Sequence, residues 1–320
     1  MQKYILRRLL ITIPTILGIT ILVFLVMHVI PGDPVDLLLA DSYNEVDRRA
    51  LIEEYGLDQP LPRQYLKWLW QLLQANWGAS ILSDRPVLHD VLLKLPVSVE
   101  LIGIAMFFAV GIAIPAGIIS ATKPYSVRDY CTMTTALLGN SIPDFFAAIL
   151  FIMLFAYVLD LLPINGFVPL SESVWGNIKH LILPAGTLGF THAALLTRLV
   201  RAGMLEVLRL DYVTTARAKG VRERWVIIKH ALRNALIPTL TVVGLQIGFL
   251  IGGAIVIENV FTIPGLGQFG IDAISGRDYP QVQAFILVTA LVFVFSNLVV
   301  DILYVVLDPR ISYDRESTHS

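Results

Sequence analysis

The sequence predicts an all-α polytopic membrane protein, and three observations carry that expectation. Of 320 residues, 56% are hydrophobic and only 15% charged, with a mean hydropathy of +0.71, whereas a soluble domain carries about 25% charged residues. Six apolar runs approach or exceed the roughly 20 residues that a helix needs to cross a hydrocarbon core of about 30 Å: Leu9–Ile30, Val97–Ile119, Thr134–Leu159, Leu181–Val200, Leu236–Ile257 and Ala284–Leu307. Lys and Arg, finally, divide unevenly between the loops on alternate sides of those runs. Lipid offers unpaired backbone groups no partner, so runs of this apolarity are helices. Strand-like alternation over about ten residues, the mark of an outer-membrane barrel, is absent.

The first run follows Lys3, Arg7 and Arg8 and ends in Ile30-Pro31-Gly32-Asp33-Pro34. It exceeds the length of a secretion-signal core and shows no small-x-small cleavage site, so it reads as a retained first helix. Residues 31–96 are too long for a simple connector. Within them, Asp41-Ser42 can cap a short polar helix over Asp41–Tyr55, with acids in its first turns. Tyr65-Leu66-Lys67-Trp68-Leu69-Trp70-Gln71-Leu72-Leu73 is amphipathic and aromatic. It suits either a helix at the membrane–water boundary or a packed helix of a small extracytoplasmic subdomain. The chain thus divides into a tail and first span (1–30), an extracytoplasmic loop or subdomain (31–96), a block of five spans (97–307) and a tail (308–320). The single cysteine, Cys131, rules out an internal disulfide.

Counting cations on alternate sides fixes the expected orientation. The side holding both termini, the Lys123/Arg128 loop and the segment after the fourth run has 16 of the 24 Lys and Arg, against 8 on the other. Both termini are therefore expected in the cytoplasm.

The segment from Asp211 to Pro238 carries Arg217, Lys219, Arg222, Arg224, Lys229 and Arg233 against Asp211 and Glu223. It cannot sit in lipid. Tyr212, Ala216 and Lys219-Gly220 recur three to four residues apart, on one helical face, and Gly220 permits a sharp turn because glycine tolerates positive φ. The residues describe a helix–turn–helix hairpin held between the fourth and fifth spans. On the residues alone it is either a docking element or a solvated loop that obeys the charge rule.

Thr215-Ala216-Arg217-Ala218-Lys219-Gly220, followed by His230-Ala231-Leu232-Arg233-Asn234-Ala235 and Ile237-Pro238, resembles the cytoplasmic coupling loop of ATP-binding-cassette importer permeases. More narrowly, it is similar to that of the dipeptide/oligopeptide/nickel permease family. Agreeing pieces run along almost the whole chain: Leu6-Arg7-Arg8 with Ile13-Pro14-Thr15, Pro31-Gly32-Asp33-Pro34, Gly56-Leu57-Asp58-Gln59-Pro60, Ile182-Leu183-Pro184, Pro264-Gly265-Leu266-Gly267, Arg277-Asp278-Tyr279-Pro280 and Asp301-Ile302-Leu303-Tyr304. Ala216 and Gly220 match the second alanine and the glycine of the general motif, and Leu232 matches as well. The motif's glutamate falls on Thr214, its first alanine on Thr215 and its late proline on Arg233, so a contact mediated by that glutamate is in doubt here.

The resemblance implies a type I ABC importer permease fold in a bacterial inner membrane, with a coupling loop at about 204–236. Asp211, Tyr212, Ala216, Arg217, Lys219, Gly220 and Val221 would engage a cytoplasmic ATPase. It also implies a second homologous permease, two ATP-binding subunits that hold the ATP and Mg, and an extracytoplasmic substrate-binding protein, with no cofactor on this chain and no nucleic acid. The cargo implied is dipeptides or oligopeptides, with glutathione, nickel or another small solute as the alternative.

Polar groups at membrane depth are candidates for the pathway. Asp144, after Pro143, either lines it or caps the half-helix that begins there. His192, Gln246 and Asn297 either contact cargo or hydrogen-bond between helices. Asp301 suits a pair with a loop arginine or a helix end. Gly265-Leu266-Gly267-Gln268-Phe269-Gly270 fits GxGxxG literally, but a span and Ile263-Pro264 precede it rather than a strand, so it reads as a glycine-rich extracytoplasmic turn. No HExxH, GxSxG or Walker A sequence occurs, so neither an intramembrane hydrolase nor an ATPase is expected. An ion-coupled secondary transporter would call for inverted repeats and midplane acid relays, and neither is found.

Overall fold

Why one helix at the centre is less apolar than its neighbours becomes clear from the packing. The computed structural model describes residues 2–29 and 58–307. Among them every regular element is helical, apart from an isolated antiparallel bridge between Ala79 and Pro86. We number the helices α1 (Gln2–Val29), α2 (Leu61–Leu73), α3 (Val87–Thr122), α4 (Val127–Ser141), α5 (Asp144–Phe151, running on as a π-helix over Ile152–Val158), α6 (Val174–Val207), α7 (Asp211–Ala218), α8 (Arg233–Val260), α9 (Leu266–Ser275) and α10 (Tyr279–Leu307). The helix expected over Asp41–Tyr55 lies outside the described residues.

α3 and α6 pair along most of their length. Leu101, Ala105 and Ala109 of α3 are buried together with Leu181, Leu188 and Leu196 of α6 in one cluster. Small residues allow the approach: a Cβ on Gly189 would meet Phe108 and the Ala105 carbonyl, and one on Gly117 would meet Val200. Close backbone contact of this kind is how helices associate where lipid offers no hydrophobic drive. α8 packs beside them through Leu250, Ile251, Ala254 and Ile257, and α10 lays the Phe293 ring over Gly248.

Among the described residues, four helical stretches are long and apolar enough to cross a membrane: Arg7–Val29, Val87–Thr122, Glu223–Val260 and Tyr279–Val299. α6, holding the fourth expected run, is 34 residues long, about 51 Å at 1.5 Å per residue. It falls short only in apolarity, because protein rather than lipid surrounds it: Asn177, Thr187, Thr191 and Thr197 are all buried on it. The run expected as one span over Thr134–Leu159 is instead two helices, α4 and the α5 stretch, meeting at 112°. Pro143 is the cause, since it biases Ile142 away from helical geometry and lacks an N–H; Ile142 is extended, at φ −88 and ψ 126.

α2 answers the aromatic expectation by packing and exposing at once. The Tyr65 hydroxyl bonds Thr20 Oγ1 at 2.9 Å, and Tyr65 and Trp68 stack around Phe24 of α1. Leu66, Trp70 and Leu73 on its other side are exposed.

Candidate functional site

The hairpin forms as its spacing implies, with one arm unlike the expectation. α7 begins at Asp211, whose charge suits a helix N-terminus, and ends before Gly220, which sits at φ +75. The Gly220 N–H donates to the Arg217 carbonyl at 2.9 Å and Val221 N–H to the Ala216 carbonyl at 3.2 Å, closing the turn. The second arm is not a separate short helix. Glu223–Trp225 winds into a π-helix over Val226–Leu232 and then into α8, so it is a direct extension of a membrane helix. Pro238 lies inside that helix rather than opening it.

The residues read as one face serve different ends. Val213 and Ala216 point inward, into a cluster with Val200, Met204 and Val207 of α6, Val226 and Ala231 of the second arm, and Ala121 of α3. The Tyr212 hydroxyl donates to the His230 carbonyl at 3.1 Å and receives Asn234 Nδ2 at 2.7 Å, tying the arms together. Arg217 clasps Glu223 across the turn, Nε to Oε2 at 3.1 Å and Nη2 to Oε1 at 2.8 Å. That hydrogen-bonded pairing pushes the Arg217 guanidinium above its usual value. Asp211, Arg217, Lys219 and Gly220 are exposed and Val221 half-buried at the tip, so the hairpin has a packed back and a charged front.

Sequence reasoning missed the joint at its base. Asp129, buried at the start of α4, receives Arg201 of α6 through Nε and Nη2, both at 2.7 Å. The same carboxylate accepts the Ser120 hydroxyl and the Tyr125 N–H. One acid thus ties the α3–α4 turn to the helix that carries the hairpin; the signal available was an acid and a base at the ends of neighbouring apolar runs.

Three of the four pathway candidates come together. Asp144, His192 and Gln246 line one cleft of about 480 Å³ between α4, α5, α6 and α8, with Gly139, Asn140, Ile142, Thr191, Leu195, Val242, Leu245 and Phe249. Asp144 stands at the first position of α5, where its charge suits the helix N-terminus. Gln246 is buried, its Oε1 has no partner at full hydrogen-bond geometry, and its side chain interacts across the helices with His192 of α6. Asn297 lies on α10, outside that lining, with its Oδ1 also buried and unpartnered. The side chain of Asp301 is outside the described residues.

At the end of α8 away from the hairpin, the GxGxxG stretch has a packing explanation. Glu258, fully buried, accepts the Ser98 hydroxyl at 2.5 Å and the N–H groups of Gly267 at 2.6 Å and Gln268 at 3.3 Å. Ser98 Oγ receives the Leu266 N–H at 2.7 Å. Orphan donors at the start of α9 are satisfied by α3 and α8. Side chains on Gly265 or Gly267 would collide with Glu258, and one on Gly270 with the Phe285 ring. The expected glycine-rich turn is therefore mostly the helix α9. Nearby, buried Asp278 accepts the Ser80 hydroxyl at 2.5 Å and pins the loop before α3 to the start of α10.

Such a helical assembly, with long apolar helices and one charged hairpin, is that of a polytopic membrane protein. Residues 113–313 match the family described as binding-protein-dependent transport system inner membrane component, and residues 1–102 match its N-terminal region. The chain belongs to this family. It is 43% identical over 316 residues to the oligopeptide transport system permease protein AppB of Bacillus subtilis (strain 168), covering 98% of this chain and 100% of that one. It is 40% identical over 339 residues to the dipeptide transport system permease protein DppB of Escherichia coli (strain K12), with the same coverage. Identity to the glutathione transport system permease protein GsiC of Escherichia coli (strain K12) is 42% over 313 residues, again covering 98% and 100%. A solved structure of the MetNI methionine ABC transporter in inward-facing conformations shares the fold, at a TM-score of 0.57 and 16% identity, covering 69% of this chain and 98% of that one.

Proposed function

We propose that this chain is one of two membrane-spanning permease subunits of an ATP-driven, binding-protein-dependent importer of dipeptides and oligopeptides. The observation that carries the reading is the hairpin of α7 and the second arm, with its packed back, charged front and direct continuity with α8. On this reading six spans cross the membrane, both termini lie in the cytoplasm, and the hairpin docks on one of two ATP-hydrolysing subunits. A second homologous permease completes the pathway, and an extracytoplasmic binding protein delivers the cargo. Peptide cargo is favoured by the identity to AppB and DppB; glutathione, a peptide-like thiol, is the second reading and has the identity to GsiC in its favour.

Coupling is a population shift. ATP on the partner must interact differently with two states of the permease, and the hairpin passes that difference into helix tilt. A push on the second arm moves α8 directly, because no flexible joint separates them. In proteoliposomes holding the whole importer, Gly220→Pro should let ATP hydrolysis proceed while peptide uptake falls by at least tenfold, since proline cannot reach φ +75. Arg217→Glu should do the same. Exchanging the pair, as Arg217→Glu with Glu223→Arg, separates two roles of the arginine. Rescue would assign it to the hairpin's own clasp, and no rescue would assign it to the partner surface. Normal uptake per ATP in both single variants would overturn the coupling assignment. Uptake of labelled dialanine, trialanine and glutathione by the wild type tells the cargo readings apart.

A further inference from the structure

We propose that the cleft between α4, α5, α6 and α8 binds the ammonium terminus of a peptide, with Asp144 as its counter-charge and Gln246 Oε1 as a second acceptor. The proposal rests on the importer reading above and adds a recognition chemistry to it. Three features of the cleft carry it.

The first is its balance of hydrogen-bonding groups. Asp144 is the one acid among the lining residues, which include no Lys or Arg; its electrostatic neighbour in the cleft is the His192 imidazole. Gln246 is 5% exposed, and its Oε1 has no partner at full hydrogen-bond geometry, with His192 in the cleft interacting with its side chain. Buried polar groups in folded proteins are almost always satisfied, so an orphan acceptor facing a cavity calls for a donor from outside the chain. A carboxylate and an amide oxygen are both acceptors. A primary ammonium, with three donors and a positive charge, complements them both, whereas a peptide's carboxylate end would be repelled by Asp144.

The second is space. The cleft's 480 Å³ or so falls within the roughly 300–1,000 Å³ of small-molecule sites. Gly253 keeps room beside the acid: a Cβ there would stand 3.0 Å from Asp144 Oδ2 and 3.9 Å from His192 Nε2. Beside the polar end, Leu245 and Phe249 form an apolar wall that accepts varied side chains without selecting among them.

The third is the donor set. One carboxylate and one imidazole are too few for a metal site, and no group of three or more His, Cys, Asp or Glu that could hold a metal ion occurs among the described residues. An organic cation fits where nickel does not. Asp144 is half-buried, so its attraction to an ammonium exceeds that of the same pair in bulk water and orients a peptide amino end first.

The test uses the assembled permease pair and ATPase subunits in nanodiscs without the binding protein, probed with tritiated dialanine by scintillation proximity. Wild type should bind it saturably, with N-acetyl-dialanine competing at least tenfold less well than unlabelled dialanine. Asp144→Asn should lose at least tenfold in affinity, Asp144→Glu should recover most of it, and Gln246→Leu should weaken binding severalfold. Co-elution of all subunits of each variant on size-exclusion chromatography shows that the complex is assembled. Equal competition by the acetylated peptide, wild-type affinity in Asp144→Asn, or no saturable binding to the wild type would each overturn the site. None of these touches the importer reading, which fails only if the complete wild-type importer does not take up peptide with ATP.

Discussion

At the scale of single residues, glycines show how differently one amino acid can be required. Gly267 is needed for space: a Cβ would fall against the Ile255 backbone and the Glu258 carboxylate. Gly220 is needed for conformation, with open space around it but φ at +75. Gly267→Ala must displace α9 from the buried carboxylate that caps it, leaving Glu258 short of a donor; an unsatisfied buried charged group costs upward of about 1–3 kcal/mol. Gly220→Ala meets only the backbone penalty of about 1–2 kcal/mol for a left-handed residue. Thermal unfolding in detergent should therefore show the larger loss of midpoint for Gly267→Ala, and the reverse order would mean that α9 does not depend on the Glu258 contact. The sequence made Gly220's role readable, since a lone glycine between helical patterns implies a turn. It could not do so for Gly267, whose neighbours Ile255 and Glu258 come from α8, and the local pattern imitated a nucleotide-binding loop.

At the scale of elements, hydrophobic runs announced where most helices lie, and the departures share a cause in tertiary packing. α6 is too polar for a lipid-facing helix because α3, α4 and α8 surround it, and the 112° break follows from Pro143, after which the sequence allowed a half-helix although the run was expected as one span. The second arm of the hairpin merges with α8 because Pro238 sits within a helix that begins upstream of it. Invisible in any single run was the tie between runs, the Asp129–Arg201 pair. Asp129 is buried but Arg201 is a quarter exposed, so Arg201→Ala leaves the carboxylate without its charged donors and should cost about 1–3 kcal/mol. Asp129→Ala with Arg201→Ala removes both charges, and the double variant should be more stable than the sum of the two single losses predicts, by about 0.5–3 kcal/mol for residues in contact. Chemical or thermal unfolding of the four proteins measures this directly. Strict additivity would mean that the turn between α3 and α4 is not held by the pair.

At the scale of the whole molecule, α6 decides the topology. If it crosses the membrane, the hairpin lies on the side opposite the Pro169–Ser173 turn; if it lies within the membrane plane or at its surface, the two lie on the same side. Its length of about 51 Å exceeds the hydrocarbon core of about 30 Å, and its cationic end, Arg198 and Arg201, leads to the hairpin. Single cysteines report this cleanly because the chain has one native cysteine, Cys131, to replace by serine. Ser83→Cys and Ser171→Cys probe the expected outer side, and Lys123→Cys and Lys219→Cys the inner; all four native residues are exposed. A membrane-impermeant maleimide should label the first two in right-side-out vesicles and the last two in inside-out vesicles. Labelling of Ser171→Cys and Lys219→Cys from the same side would remove α6 from the spans and, with it, the six-span arrangement. The opposite-side result would leave the hairpin as the cytoplasmic end of the most enclosed helix in the bundle. A motion imposed there would then reach α3, α4 and the Asp144 cleft through contacts already made, without a flexible linker to dissipate it.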